Sequence, residues 1–231
     1  MAVDVKANLD LVKERIAQAA AKSGRDPQEV RIVAVTKNVP LDVVRQAIEA
    51  GVRIVGENRV QEAMTKFPYL DSCVERHFIG HLQRNKVRAV VQAVNLIHSL
   101  DSLRLAEEIN KWGERLGRPV EVLIQVNVSG EASKYGVSPD ALEAFTEKVA
   151  QLAYIRVRGL MTIAPEFKNA EDARPVFRKL SQLALEIGKR NLPGVEVQFL
   201  SMGMTNDYWV AVEEGANLVR IGRALFGERG R

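Results

Sequence analysis

A single cysteine, Cys73, among 231 residues leaves no partner for an internal disulfide and no thiol cluster for zinc. Long apolar runs are missing as well. The amino-terminal stretch MAVDVKANLDLVKERIAQAA carries charges at helical spacing, so neither a secretory signal nor a membrane anchor is expected, and the chain reads as cytoplasmic. No tract rich in proline, glycine or serine separates one part of the chain from another, which points to one domain over residues 1–231. Aromatic residues make up 6%, with no platform of interleaved aromatic and basic side chains. An RNA-binding module would then rest on the net charge of +4 alone, and no nucleic acid is expected. That mild positive excess, spread among Asp and Glu, admits an anionic ligand without demanding one.

What is present is a regular alternation. The opening segment 4–24 places Val5, Leu9, Val12, Ile16 and Ala19 on one helical face, with Gly24 as its stop. Eight apolar, β-branched runs follow, at 30–36, 53–58, 76–81, 95–100, 120–128, 155–163, 195–200 and 217–222. Behind them come helical patterns at 40–51, 59–67, 83–93, 102–117, 138–153, 169–190, 205–215 and 223–230. Strand–helix repeats make right-handed βαβ units and a parallel sheet. Eight units in this length predict a (β/α)8 TIM barrel with one extra helix in front, since such barrels run to about 250 residues. An open doubly wound sheet is the competitor. Its first turn commonly carries a glycine fingerprint, whereas the first strand here ends in TKNVP. The longest loops, 128–138 and 164–172, fall after the fifth and sixth strands, where barrel active sites are built.

Lys37 closes the first strand in VAVTK. Buried among other cations at the barrel mouth, it would be an imine-forming nucleophile with a lowered pKa; otherwise it simply ends the strand and reaches water. A counterpart lies after the last two strands, where phosphate sites of these barrels recur. SMGMT offers Gly203 for close backbone approach and the hydroxyls of Ser201 and Thr205 as donors, against the plainer reading of a glycine-containing turn. Gly222 and Arg223 sit where the last strand becomes a helix, so their amides face the same space. Arg220 projects to the same side as Gly222, two residues on, and needs an acceptor there; a core salt bridge with Glu57 is the alternative. A lysine for an imine, a cup for phosphate and an arginine near the floor suit pyridoxal phosphate.

Six blocks, VAVTK, GENRVQE, HFIGHLQRNK, RGLMTIA, SMGMTND and VRIGRALFG, together resemble the pyridoxal phosphate homeostasis protein family in order and over nearly the whole chain. Those proteins are single-domain relatives of the alanine racemase barrel. The resemblance implies that Lys37 joins the cofactor as an internal aldimine, and that Ser201, Gly203, Gly222 and Arg223 bind its phosphate. It further implies that Arg220 faces the pyridine nitrogen and that Asn58 lines the ring. Thr205 stands where the family often has serine and keeps the hydroxyl.

An arginine against the pyridine nitrogen disfavours the proton that makes the cofactor a strong electron sink. The expected role is therefore carriage or buffering of the cofactor by a monomer, without dedicated turnover, with apoenzymes as recipients. A slow amino-acid racemase is the second expectation, and a cofactor-free lysine-imine aldolase or sugar-phosphate isomerase the third. His81 and His98 near strand ends are candidate bases, although a hydrogen-bonded structural role is the plainer reading of each. Tyr135 is a further candidate, while Tyr208 reads as packing at the start of its helix. Met161, Met202 and Met204 read as adaptable packing.

Overall fold

A computed structural model describes residues 3–131 and 134–227. Ala132 and Ser133 of the first long loop and the predicted end of the last helix at 228–230 lie outside the described residues. Eight strands close into one parallel barrel in sequence order. They are β1 (Arg31–Val35), β2 (Ile54–Glu57), β3 (Glu75–Phe78), β4 (Leu96–Leu100), β5 (Val120–Gln125), β6 (Ile155–Met161), β7 (Val195–Met204) and β8 (Leu218–Ile221). The last pairs with the first, Val33 opposite Arg220 and Ala34 opposite Ile221.

Around them run α2 (Leu41–Glu49), α3 (Val60–Lys66), α4 (Val87–Ala93), α5 (Leu103–Leu116), α6 (Leu142–Ala150), α7 (Arg174–Lys189), α8 (Tyr208–Glu213) and α9 (Arg223–Phe226). The (β/α)8 barrel follows from the pattern read above. None of the described helices is long and apolar enough to cross a membrane.

The extra helix α1 (Val5–Lys22) starts at Asp4, whose side chain accepts from the Ala7 N–H at 3.0 Å. It buries the stripe of Val5, Leu9, Val12, Ile16 and Ala19, each such aliphatic side chain giving roughly 1.5–3 kcal/mol. The helix packs on α8 and α9, and Asn8 Nδ2 donates to the Leu225 carbonyl at 2.9 Å. It thereby braces the side of the barrel that carries β8.

Register shifts interrupt four of the eight pairings, and those of β7 with β8 and of β6 with β7 bear on the mouth. On β7, Ser201 lies opposite Leu218 and Met204 opposite Arg220, so three steps on one strand match two on the other. The extra residue makes a bulge in which Gly203 takes φ +87°. SMGM therefore belongs to β7, which runs four residues past the predicted end at 200, and is not a turn beyond it. In the β6–β7 pairing the shift falls between Val157 and Gly159, where β7 runs from Val195 to Phe199 against two steps on β6, and Gly159 takes φ +144°.

Candidate functional site

A cavity of about 700 Å³ opens at the C-terminal ends of the strands, within the roughly 300–1,000 Å³ of small-molecule sites. Its walls come from Lys37 and Asn38 after β1, Ala164 to Phe167 after β6, and Thr205 to Asp207 after β7. Arg220, Gly222, Arg223 and Lys134 also line it. Four cationic side chains (Lys37, Lys134, Arg220, Arg223) thus face two carboxylates, Glu166 and Asp207, a balance that favours an anion. At one edge Thr205 Oγ1 accepts from the Ala224 N–H at 3.3 Å, tying the turn after β7 to the first turn of α9. The first N–H groups of a helix have no intrahelical carbonyl, so the amides of Gly222 and Arg223 are where an anionic group is best received.

Arg220 is 4% exposed, yet among the described residues no carboxylate holds it directly. Nη1 donates to the Ser201 carbonyl at 2.8 Å and to Ser201 Oγ at 2.7 Å, and Nη2 donates to the Thr162 carbonyl at 2.8 Å. Burial pushes its pKa down to about 10, against the pull of Asp207. The sequence-based alternative of a salt bridge to Glu57 is not formed. Glu57 is engaged by Thr36 and Lys66 instead.

Those two residues belong to a clamp on the backbone either side of Lys37. Lys66 Nζ donates to the Thr36 carbonyl at 2.7 Å, to Glu57 Oε1 at 2.8 Å and to Glu62 Oε2 at 2.7 Å. Glu62 Oε2 also accepts the Asn38 N–H at 2.7 Å, where Asn38 takes the left-handed φ of +56°. The residues before and after Lys37 are thus tied to one ion pair on α3, while the Lys37 side chain is exposed at the mouth rather than buried as the sequence reading allowed. Burial raises the Glu57 pKa, which its hydrogen bond to Lys66 opposes. Lys66→Met should therefore cost about 3–5 kcal/mol, because it strands a buried carboxylate. A raised folded-state pKa means stability falls as pH climbs from the unfolded value through the folded one. The loss in urea midpoint should be larger near about pH 8 than near about pH 5, and an equal loss at both would refute the assignment.

Of the seven residues singled out from the sequence, Lys37, Arg220, Gly222 and Arg223 line the cavity together. Ser201, Gly203 and Asn58 are not among its walls. Ser201 is fully buried beneath the floor, its Oγ taken by Arg220 and lying 2.9 Å from His98 Nδ1. At Gly203 a Cβ would stand 2.6 Å from the Ala211 Cβ and 2.9 Å from the Tyr208 Cα, so the missing side chain lets α8 pack onto β7. Asn58 keeps a buried Oδ1 with no partner among the described residues.

The family of the alanine racemase N-terminal domain matches residues 7–230. The pyridoxal phosphate homeostasis protein of Aquifex aeolicus is 46% identical over 222 residues, covering 96% of each chain. Among solved structures, an unknown protein from Bifidobacterium adolescentis superposes with TM-score 0.92 at 36% identity, covering 96% of this chain and 94% of that one. PipY of Synechococcus elongatus, solved with PLP bound, gives 0.81 at 37% identity, covering 92% of this chain and all of PipY. The chain belongs to the pyridoxal phosphate homeostasis protein family.

In this member of the family, several contributors to the mouth carried no readable signal. Lys66 follows Glu57 by nine residues on another element, and His77 sits inside an apolar run. Asp207, whose Oδ1 accepts the Met204 N–H at 2.6 Å and whose pKa burial raises, read only as part of a helix start. Among the candidate bases, His81 Nδ1 lies 3.2 Å from Asp101 Oδ2 and its ring stacks on Tyr135 with centroids 3.7 Å apart. Neither lines the cavity. Tyr208 opens α8 and is buried, as the packing reading had it. Met161 and Met202 are core, whereas Met204 is exposed and lines the cavity.

Proposed function

We propose that this chain holds pyridoxal phosphate in the mouth cavity and serves its supply to apoenzymes. Lys37 would take the aldehyde end, the amides of Gly222 and Arg223 with the Thr205 hydroxyl the phosphate, and Arg220 the ring nitrogen. Asn58 does not line the cavity and is assigned no contact with the ring. Ser201 acts from beneath, by anchoring Arg220, and Gly203 acts by seating α8. The observation that carries the reading is the meeting, in one cationic cavity, of an exposed lysine on a clamped backbone with a buried arginine at the floor.

The cofactor supplies an electron sink for amino-acid carbon chemistry, strongest when its ring nitrogen is protonated. Arg220 is a donor-only group, so it offers that nitrogen a hydrogen bond and withholds a proton from it. Three of the five guanidinium N–H groups are fixed by Ser201 and Thr162, which leaves donors for a ligand. A floor of this kind favours retention over turnover, and we assign the chain a holding role rather than a dedicated catalytic one.

The test is reduction with borohydride after purification with the cofactor, followed by peptide mapping. A pyridoxyl mass on the peptide containing Lys37 is expected. Modification spread over surface lysines, with none at Lys37, would defeat the reading.

A further inference from the structure

The interior of a (β/α)8 barrel is ordinarily filled by branched aliphatic side chains. Here a polar column crosses it. Glu75 at the start of β3 pairs with Arg31 of β1, and Glu75 Oε2 lies 3.4 Å from His77 Nε2. His77 Nδ1 is 3.0 Å from His98 Nε2, on the neighbouring strand β4. His98 Nδ1 is 2.9 Å from Ser201 Oγ on β7, which is not a neighbour of β4, so this bond spans the barrel. Ser201 Oγ finally meets Arg220 Nη1 at 2.7 Å. His77 is 1% exposed, and His98 and Ser201 are fully buried.

The ends of this column decide its direction. An arginine can only donate, so Ser201 Oγ must accept from it; an ionised carboxylate can only accept, so His77 must present Nε2–H to Glu75. The Glu75 pKa is lowered, first by its hydrogen bond to His77 and then by Arg31, which keeps the carboxylate ionised. Each intermediate link then has one solution. His77 Nδ1 has no proton and accepts from His98 Nε2–H; His98 Nδ1 has no proton and accepts the Ser201 hydroxyl hydrogen. Every donor meets an acceptor, and the Ser201 hydrogen is spent on His98 rather than on any ligand above.

We propose that His77 and His98 are positioning residues for Arg220. Their one-way chain of hydrogen bonds presents Ser201 as a fixed acceptor, and that acceptor sets the guanidinium at the cavity floor. Burial lowers the pKa of both imidazoles, and His77 and Arg220 lower that of His98 further, while Glu75 and Glu121 raise and Arg31 lowers that of His77. Protonating His98 would put a hydrogen on Nδ1, reverse the Ser201 hydroxyl and set a second positive charge beside Arg220. The chain's direction follows from these distances with both buried rings neutral; only its effect on a pyridine nitrogen rests on the function proposed above.

Long-range 1H–15N correlation on cofactor-free protein tests the direction. Both imidazoles should appear as Nε2–H tautomers, with nitrogen shifts constant between about pH 5 and pH 8. A proton on His98 Nδ1, or a normal titration of either ring, overturns the proposal. With 15N-labelled pyridoxal phosphate bound, His98→Leu should move the ring-nitrogen resonance from its wild-type position. His98→Gln, whose amide can accept from Ser201, should move it less. An unmoved resonance in His98→Leu also overturns the positioning role. If that variant does not fold, Ser201→Ala takes its place, with the same expectation and the same contrary result. Failure of the cofactor to bind would leave the tautomer result standing, so the two readings fail separately.

Discussion

Replacing Lys37 with alanine should leave a folded protein that no longer retains the coloured cofactor after gel filtration. The Lys37 side chain is exposed and has no hydrogen bond or ion pair among the described residues, so its loss removes no packing. The backbone around it stays held by Lys66 and Glu62, which grip residues 36 and 38 rather than 37 itself. Stability should change by no more than about 0.5 kcal/mol, the range of surface substitutions. Retention, by contrast, should fall from stoichiometric to undetectable, because the phosphate contacts that remain exchange freely with solvent while a covalent link does not.

A second amine, Lys134, lines the same cavity, but its Nζ is held by Glu131 at 3.2 Å. Lys134→Ala is therefore the matched control and should keep the visible band. If Lys37→Ala holds the cofactor as tightly as wild type, or if Lys134→Ala alone loses it, the assignment of the capturing amine is wrong. Reduction of each variant before mapping distinguishes the two cases by the position of the pyridoxyl mass.

Much of the barrel was legible because each strand is a short β-branched run followed by a 3.6-residue pattern, and no other information is needed to count eight units. Arg220 and Gly222 line the same cavity, and the two-residue spacing that suggests a shared side is legible in the sequence. Ser201 and Gly203 show where such reading stops. A serine beside a glycine after an apolar run looks like a phosphate turn. Whether it is one depends on a bulge whose presence is fixed by pairing with β8, Ser201 with Leu218 and Met204 with Arg220.

The histidine column is invisible for a related reason. His77 and His98 are 21 residues apart, and His98 and Ser201 are 103 apart, so only closure of the sheet brings them together. The clamp at Lys37 left one weak trace, the asparagine after it. Asparagine is among the few residues other than glycine that accept a left-handed φ, and Asn38 does so. Local chemistry announces such turns; it does not announce the ion pair that holds them.

Gly159→Ala should be among the most damaging single-methyl additions in this chain. In RGLMTIA the glycine reads like part of a functional block, yet its role is mechanical. It takes φ +144°, and a Cβ there would stand 1.9 Å from the Phe199 carbonyl oxygen and 2.8 Å from its carbon, both backbone atoms of β7. Neither can swing aside as a side chain would. The irregular pairing of β6 with β7 centres on this residue, and two steps later it sets Met161 opposite Ser201 and lets the Thr162 N–H reach the Ser201 carbonyl at 3.1 Å. Those carbonyls, of Thr162 and Ser201, are the ones that grip Arg220. Backbone strain and overpacking together should cost at least about 3 kcal/mol, lowering the urea midpoint by roughly 1 M. Part of the damage should reach the floor of the cavity, so the surviving folded fraction should bind cofactor with an altered visible spectrum. Gly188→Ala provides the contrast: in α7 the nearest atom to the added Cβ is 4.0 Å away, and helix propensity should raise stability by about 0.5–1 kcal/mol. Equal midpoints for the two variants would show that the close approach of β6 to β7 does not hold the barrel's register.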